Sequence, residues 1–287
     1  MSRILSVLAA AGLVLAGAVG IAAAQEEGHS EAEPTHFPIN KPTQEDWTFA
    51  GPFGTFDRGQ LQRGLKVYKE VCSACHSMQL VAFRTLEDLG YSEAQVKALA
   101  AEYTVQDGPN ADGEMFERPG IPSDHFPSPF PNVEAAAAAN NGAAPPDFSL
   151  IAKARGVERG FPTFVFDIFT LYAENGPDYI HALLTGYDHE PPAGMTIAEG
   201  THFNPYFIAG KSLAMAPPLS DDQVTYDDGS PQTVDQYARD VAAFLMWAAE
   251  PHLEDRKKTG FRVMVFLVLF AGLVYLTKRR VWASVPH

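Results

Sequence analysis

Cysteine is almost missing from this sequence: there are only two in 287 residues, Cys72 and Cys75. A zinc site needs about four ligands, usually completed by a second Cys or His pair, and no such pair is present. Positive charge is scarce as well. The chain has 21 Lys and Arg against 35 Asp and Glu, a formal net charge of −14 at pH 7. That balance excludes nucleic-acid binding, which requires a basic face, and suits a basic partner. Regular periodicity is missing from Thr104 to Pro146, a stretch rich in Gly, Asn and Asp that also holds Pro119, Pro122, Pro127, Pro129 and Pro131. Only Glu134 to Asn140, with its alanine run, reads as helix there. So long an irregular segment is usually functional or wrapped round a ligand; a plain surface insertion is the alternative. What is not lacking is apolar content: 46% hydrophobic residues exclude disorder for most of the chain.

Both cysteines fall in Cys72-Ser73-Ala74-Cys75-His76. Cys-x-x-Cys-His is the attachment signature of c-type haem. On one side of a helical turn, two thiols at this spacing reach the two vinyl groups on one haem edge, and His76 falls beneath the ring to bind iron. A thioredoxin-like pair would follow a strand in a βαβ unit, whereas this pair closes a helical pattern. The sixth iron ligand then decides the chemistry. A second His or a Met makes an electron carrier, and an open position permits gas binding or catalysis. Met78 is too close to His76 to reach the opposite face, and Met264 lies in an apolar C-terminal run. Met115, Met195, Met215 and Met246 remain, with several histidines. Met215 is favoured because Pro217 and Pro218 stiffen the loop after it. A merely structural role for both Met215 and Met195 and ligation by Met195 are the other readings.

Residues 1–24 read as a secretory signal: Arg3, an apolar stretch from Ile4 to Ile21, then Ala22-Ala23-Ala24 as a small-residue cleavage site. A retained anchor is the alternative. Residues 25–46 are polar and acidic, an extended or mobile lead-in. A first helix is expected from Asp57 to Cys75, with Leu61, Leu65, Tyr68 and Cys72 as its apolar stripe. Gly64 inside that stripe points to a closely crossing helix. A second helix is expected from Ser92, its cap, to Tyr103. Asp147 is placed as the cap of a short helix ending near Arg155. Phe161 to Tyr172 is strongly aromatic, and a helix from Pro177 to Leu184 ends at Gly186. Asp188 to Tyr226 reads as loop. Thr233 and Gln236 form a capping box for a helix that buries Val234, Tyr237, Val241, Phe244, Leu245 and Ala248 and stops at Pro251.

Val263 to Thr277 carries no charge. With Phe261 and Arg262 it covers about 25 Å at the helical rise, short of a bilayer core of about 30 Å. Arg262, Lys278, Arg279 and Arg280 can snorkel, and Tyr275 and Trp282 suit the interfacial belt. An anchor over 256–280 follows, with a buried soluble helix as the alternative. The exported domain sets its direction.

Several stretches together resemble the cytochrome c1 family, the haem subunit of the cytochrome bc1 complex in its alphaproteobacterial or mitochondrial form. They are Arg63-Gly64-Leu65-Lys66-Val67-Tyr68 leading into Cys72 to Met78, Val105-Gln106-Asp107-Gly108-Pro109-Asn110, Ala139-Asn140-Asn141-Gly142, Pro145-Pro146-Asp147-Phe148-Ser149, Met215-Ala216-Pro217-Pro218 and Phe244 to Pro251. The resemblance implies one haem c on thioethers from Cys72 and Cys75, with His76 as proximal and Met215 as distal ligand. It implies haem contacts from Asn140, Pro146, Arg155 and Tyr179, with Arg155 pairing a propionate. The implied fold is mainly α, a class I cytochrome c-like haem domain with long loops plus one C-terminal transmembrane helix. The parts are a signal peptide (1–24), a periplasmic haem domain (25–255), the anchor (256–280) and a cytoplasmic tail (281–287) on the inner membrane. The implied function is electron transfer, not enzymatic catalysis, from a Rieske iron-sulfur protein to cytochrome c, alongside cytochrome b. A haem peroxidase or nitrogen-oxide reductase subunit and a membrane-tethered gas sensor are the alternatives. Two departures stand out: the extra cysteine pair of some bacterial relatives is missing, and Phe161 to Asn175 looks like an insertion relative to the mitochondrial form.

Overall fold

Asp57 starts the first helix. Its carboxylate accepts from the N–H groups of Gly59 (2.9 Å) and Gln60 (3.3 Å), satisfying donors that a helix start leaves open. The computed structural model of the chain describes residues 36–157, 160–170 and 174–284, so the signal expected over 1–24, the start of the lead-in and residues 285–287 lie outside them. In chain order the helices are α1 (Arg58–Glu70), α2 (Glu93–Ala100), α3 (Val133–Ala139), α4 (Ile151–Ala154), α5 (Thr163–Thr170), α6 (Asn175–Thr185), α7 (Val234–Ala249) and α8 (Leu253–Val281). The strands are β1 (Thr104–Asp107), β2 (Phe116–Pro119), β3 (His202–Phe203) and β4 (Ser212–Leu213), and 3-10 turns include Cys72–Ala74 and Phe83–Leu89. The fold is mainly α, with long loops and few short strands.

The centre is α7, which packs against α1, α4 and α6. Tyr237, Val241, Phe244, Leu245 and Ala248 are buried as their spacing predicts, but so are Ala238, Asp240, Ala242, Ala243, Met246 and Trp247. A helix buried nearly all round is a core element rather than an amphipathic surface one. Gly64 of α1 makes this possible. A Cβ there would lie 2.2 Å from the Asp240 carbonyl oxygen and 2.6 Å from Phe244 Cβ, so the two backbones meet at a distance only glycine allows. Beside the crossing, Asp240 is fully buried and accepts from Arg63 Nε at 2.8 Å. Asp240 also accepts from Gln236 Nε2 at 2.9 Å. The expected capping box is therefore half formed: Thr233 accepts from Gln236 N–H (3.3 Å), but the Gln236 side chain turns to the ion pair.

Several expected boundaries move. The α-helix stops at Glu70 instead of reaching Cys75. The Ser73 hydroxyl donates to the Lys69 carbonyl at 2.8 Å, and the motif sits on the 3-10 turn beyond. Helix α2 has the Ser92 cap, with a complete capping box to Gln95, and ends at Ala100 rather than Tyr103. The stretch read as irregular contains the antiparallel β1–β2 hairpin, with Thr104 opposite Pro119 and Asp107 opposite Phe116. Polar side chains hold it and leave no apolar alternation to read. Arg118 pairs with Asp107 and Asp124, and Asn110 Oδ1 accepts from Asp112 and Glu114 N–H at 2.9 Å each. Leu150, not Asp147, precedes α4. The lead-in is pinned before residue 46: Asn40 N–H donates to Pro205 O at 2.9 Å. Asp178 accepts from Glu45 N–H (3.0 Å) and Trp47 Nε1 (2.8 Å), and Arg239 pairs with Glu45.

Helix α8 has 29 residues, about 43 Å at the helical rise. It begins inside the haem-motif domain, so the expected anchor boundary at 255/256 falls within it. All positions from 258 to 284 are exposed. Within that exposed length Val263 to Thr277 carries no charge, an apolar surface that suits lipid rather than water.

Two outcomes are expected from this packing. Gly64→Ala forces backbone apart at the crossing and costs about 3 kcal/mol in urea unfolding, the upper end for overpacking. Unchanged stability would mean the crossing is not close. Glu250, at the end of α7, accepts from Lys153 of α4 at 2.7 Å and pairs with Arg256 of α8. Burial opposes its charge, but the two cations outweigh it and hold the carboxyl below the ordinary range. The lowered folded pKa means the stabilisation is present above the unfolded value and lost as pH falls through the folded one. Glu250→Gln should therefore melt lower than the parent at pH 6, and the gap should close on acidification below about pH 4.

Candidate functional site

The 3-10 turn compresses the motif. The N–H groups of Cys75 (3.1 Å) and His76 (2.9 Å) both donate to the Cys72 carbonyl, which brings the two cysteines and the imidazole round one turn. Neither cysteine is in a disulfide. Burial, helped by the neighbouring Cys75, pushes the Cys72 thiol up to about 12, so it stays protonated. His76 is 9% exposed, and burial keeps its ring below the ordinary histidine range against the opposing pull of the Pro146 carbonyl and Asp147. His76 Nδ1 lies 2.8 Å from Pro146 O. A carbonyl can only accept, so Nδ1 carries the proton and the lone pair of the neutral ring is on Nε2. Nε2 has no hydrogen-bond partner among the described residues. An oriented imidazole with an open Nε2 and two uncombined thiols is the donor set a covalent haem requires. No group of three or more His, Cys, Asp or Glu side chains is placed for a bare metal ion among the described residues.

The sequence 145–149 supports this turn from outside. Asp147 accepts from Ser77 Oγ (2.7 Å) and Gln79 N–H (2.9 Å) on one oxygen and from Ser149 N–H (2.8 Å) on the other. Burial would raise its pKa, yet these donors win and hold it below the carboxylate range. Ser149 Oγ accepts from Leu80 N–H at 3.0 Å. Phe148 lies against the His76 ring, centroids 3.9 Å apart and 19° from parallel. The buried Tyr68 hydroxyl donates to the His76 carbonyl at 3.2 Å. Asp147 is thus a clamp between two loops rather than a helix cap.

A second group of side chains forms around α6. Tyr179 is buried at 3% exposure. Burial raises its pKa while the Ile208 N–H and the nearby Arg155 charge oppose that rise. Tyr187 lies near Tyr179, its hydroxyl driven well above the ordinary range chiefly by burial, and it donates to the Met215 carbonyl at 3.1 Å. The structure therefore gathers Cys72, Cys75, His76 and Pro146 in one cluster, and Arg155, Tyr179 and Met215 in another. Arg155 is exposed. Asn140 ends α3, with its Nδ2 donating to Ala136 O at 2.7 Å, and no hydrogen bond joins it to either cluster among the described residues. Met195, the other ligand candidate, lies in a turn closed by its N–H to Pro192 O at 3.0 Å.

Residue-level reading missed Tyr187, Phe148 and the clamp role of Asp147. The spacing Asp147-x-Ser149 is an Asx-turn signal that points to the last of these. Nothing local marks Tyr187. Asp147→Ala strips the acceptor from three donors and should cost about 1–3 kcal/mol in urea unfolding; a loss under about 0.5 kcal/mol, the range of neutral surface changes, would remove the clamp.

A model described as the cytochrome C1 family matches residues 47–285. The chain is 58% identical over 275 residues to cytochrome b/c1 of Bradyrhizobium diazoefficiens, covering 95% of this chain but only 39% of that longer protein. It is 44% identical to cytochrome c1 of Rhodospirillum rubrum, covering 98% of this chain and 97% of the relative. It is also 44% identical to the mitochondrial cytochrome c1 haem protein of Schizosaccharomyces pombe, over 91% of this chain and 76% of that one. With a family match from Trp47 through α8, and a relative matched along nearly its full length, this chain belongs to the cytochrome c1 family.

Proposed function

We propose that this chain is the electron-carrying haem subunit of a quinol:cytochrome c oxidoreductase (bc1) complex, taking one electron from a Rieske iron-sulfur protein and passing it to a cytochrome c. The observation that carries the reading is the His76 Nδ1–Pro146 O contact at 2.8 Å, which aims an open Nε2 lone pair from within the Cys-x-x-Cys-His turn. Cys72 and Cys75 would hold the group covalently, and His76 and Met215 would ligate the iron. Haem, when bound, supplies a one-electron couple, and a Met/His pair places it at high potential. Pro146 and Phe148 hold the imidazole ring in register. Tyr187, through the Met215 carbonyl, fixes the loop that Pro217 and Pro218 stiffen. Asn140, Arg155 and Tyr179 would complete the lining, with Arg155 on a propionate.

The remaining assignments belong to the same reading. An exported domain on α8 would place the motif on the periplasmic face of the inner membrane, beside cytochrome b, with a short cytoplasmic tail after cleavage of the signal. A net charge of −14 would steer a basic acceptor. Many acids, however, already have structural partners. Asp221 accepts from Val234 N–H at 2.8 Å. Asp228 pairs with Arg63 at 2.7 Å, and Asp227 with Lys66 at 3.4 Å.

The mature protein should retain haem stain through denaturing electrophoresis. Met215→Leu should keep that stain, lower the potential and let carbon monoxide bind the reduced protein. The same change from Met195→Leu instead would move the ligand to Met195. Carbon monoxide binding by the unsubstituted protein would favour the peroxidase or gas-sensor alternatives, and colour that washes out in acid acetone would overturn the covalent group.

A further inference from the structure

The loop Gly51-Pro52-Phe53-Gly54 has no part in either cluster, yet it is an exposed apolar tip fixed against α8. Phe53 is 76% exposed, with Pro52 exposed beside it. The loop is tight: Ala50 N–H donates to Trp47 O and Thr55 N–H to Thr48 O, both at 3.0 Å. A Cβ on Gly54 would lie 2.1 Å from Ala50 O. Three residues on one face of α8 hold it. Glu254 Oε1 accepts from Phe56 N–H at 3.0 Å. One turn on, Lys257 Nζ donates to Phe49 O (2.5 Å) and Gly54 O (3.3 Å). At the next turn the Phe261 ring meets the Phe53 ring edge-on, centroids 5.8 Å apart. Spacings of three and four residues put these side chains in one row along the helix.

This row fixes the height of the loop against the apolar span. Phe261 is itself 56% exposed and stands where the long apolar run begins, followed by Arg262, a cation suited to the headgroup level. A soluble loop gains nothing by presenting Pro52 and Phe53 to water, whereas at the mouth of a membrane helix both can leave it. The tip is continuous with the lipid-facing surface of α8 through the Phe53–Phe261 contact. We propose that the Gly51–Gly54 loop is a second membrane contact, which seats Phe53 in the bilayer interface beside Phe261 and gives the haem-motif domain two points of support rather than one. The inference rests on reading α8 as a membrane span, and a marker in α8 tests that reading separately.

The test uses the full-length, haem-loaded protein in nanodiscs of phosphatidylcholine and phosphatidylglycerol, with Cys72 and Cys75 already engaged. A nitroxide is attached in turn to Phe53→Cys, Leu269→Cys within the span and Asp112→Cys on the exposed hairpin loop. Pro52→Cys repeats the measurement at the same tip. Power saturation then compares collisions with oxygen, which concentrates in lipid, and with a water-soluble nickel chelate. The labels at Phe53 and Pro52 should favour oxygen over nickel several-fold relative to Asp112, in the same sense as Leu269. Nickel access at both tip positions equal to that at Asp112, with Leu269 still lipid-like, would overturn the loop contact alone. Nickel access at Leu269 would overturn the span and the loop contact with it. Labels at the tip immobilised and shielded from both reagents would mean a protein surface covers the loop, which also overturns the lipid assignment.

Discussion

The crossing of α1 and α7 at Gly64 is the contact from which the other positions follow. Helix α1 delivers the Cys-x-x-Cys-His turn at its C-terminal end, and α7 is the buried rod on which α1, α4 and α6 all rest. Because the Gly64 backbone touches α7 directly, the end of α1 has a fixed location relative to α6, and so to Tyr179 on α6 and Tyr187 just beyond it. The Arg63–Asp240 pair beside the crossing is an expensive device: a fully buried carboxylate is tolerated only with its cation in place. Its directionality sets the rotation of α1 about its own axis, which apolar packing alone leaves loosely specified.

The sequence showed this frame well where the signal was periodic or steric. The stripe of α1, the buried face of α7, the stop at Pro251 and the close approach at Gly64 could all be read from residue spacing. It showed less where polar side chains decide the backbone. The β1–β2 hairpin depends on Arg118, Asp107 and Asn110, and carries no alternation of apolar residues. The pinned lead-in depends on Asp178 meeting Glu45 and Trp47 across more than a hundred residues, a pairing no local window contains.

The two clusters show the same division. Cys72, Cys75 and His76 announce themselves through spacing, because the chemistry requires those residues within one turn. Their supports do not: the Pro146 carbonyl is a backbone atom, and the Phe148 stack and the Asp147 clamp arise only when the 145–149 loop folds over the turn. Met215 lies outside the first cluster, and its nearest shown link is the Tyr187 hydroxyl. A methionine held through its backbone carbonyl leaves its side-chain sulfur free for another role.

The ion pairs of the acidic surface have a consequence for how such a protein can change over time. Asp228 steadies the residue that neutralises the buried Asp240, and Asp221 holds the first turn of α7. Surface charge and helix placement are thus encoded in the same few side chains. A lineage that altered these acids would at once loosen the central helix, so variation in surface charge should arise first at acids with no such duty. Divergence of the surface is constrained from within, by the core it happens to support.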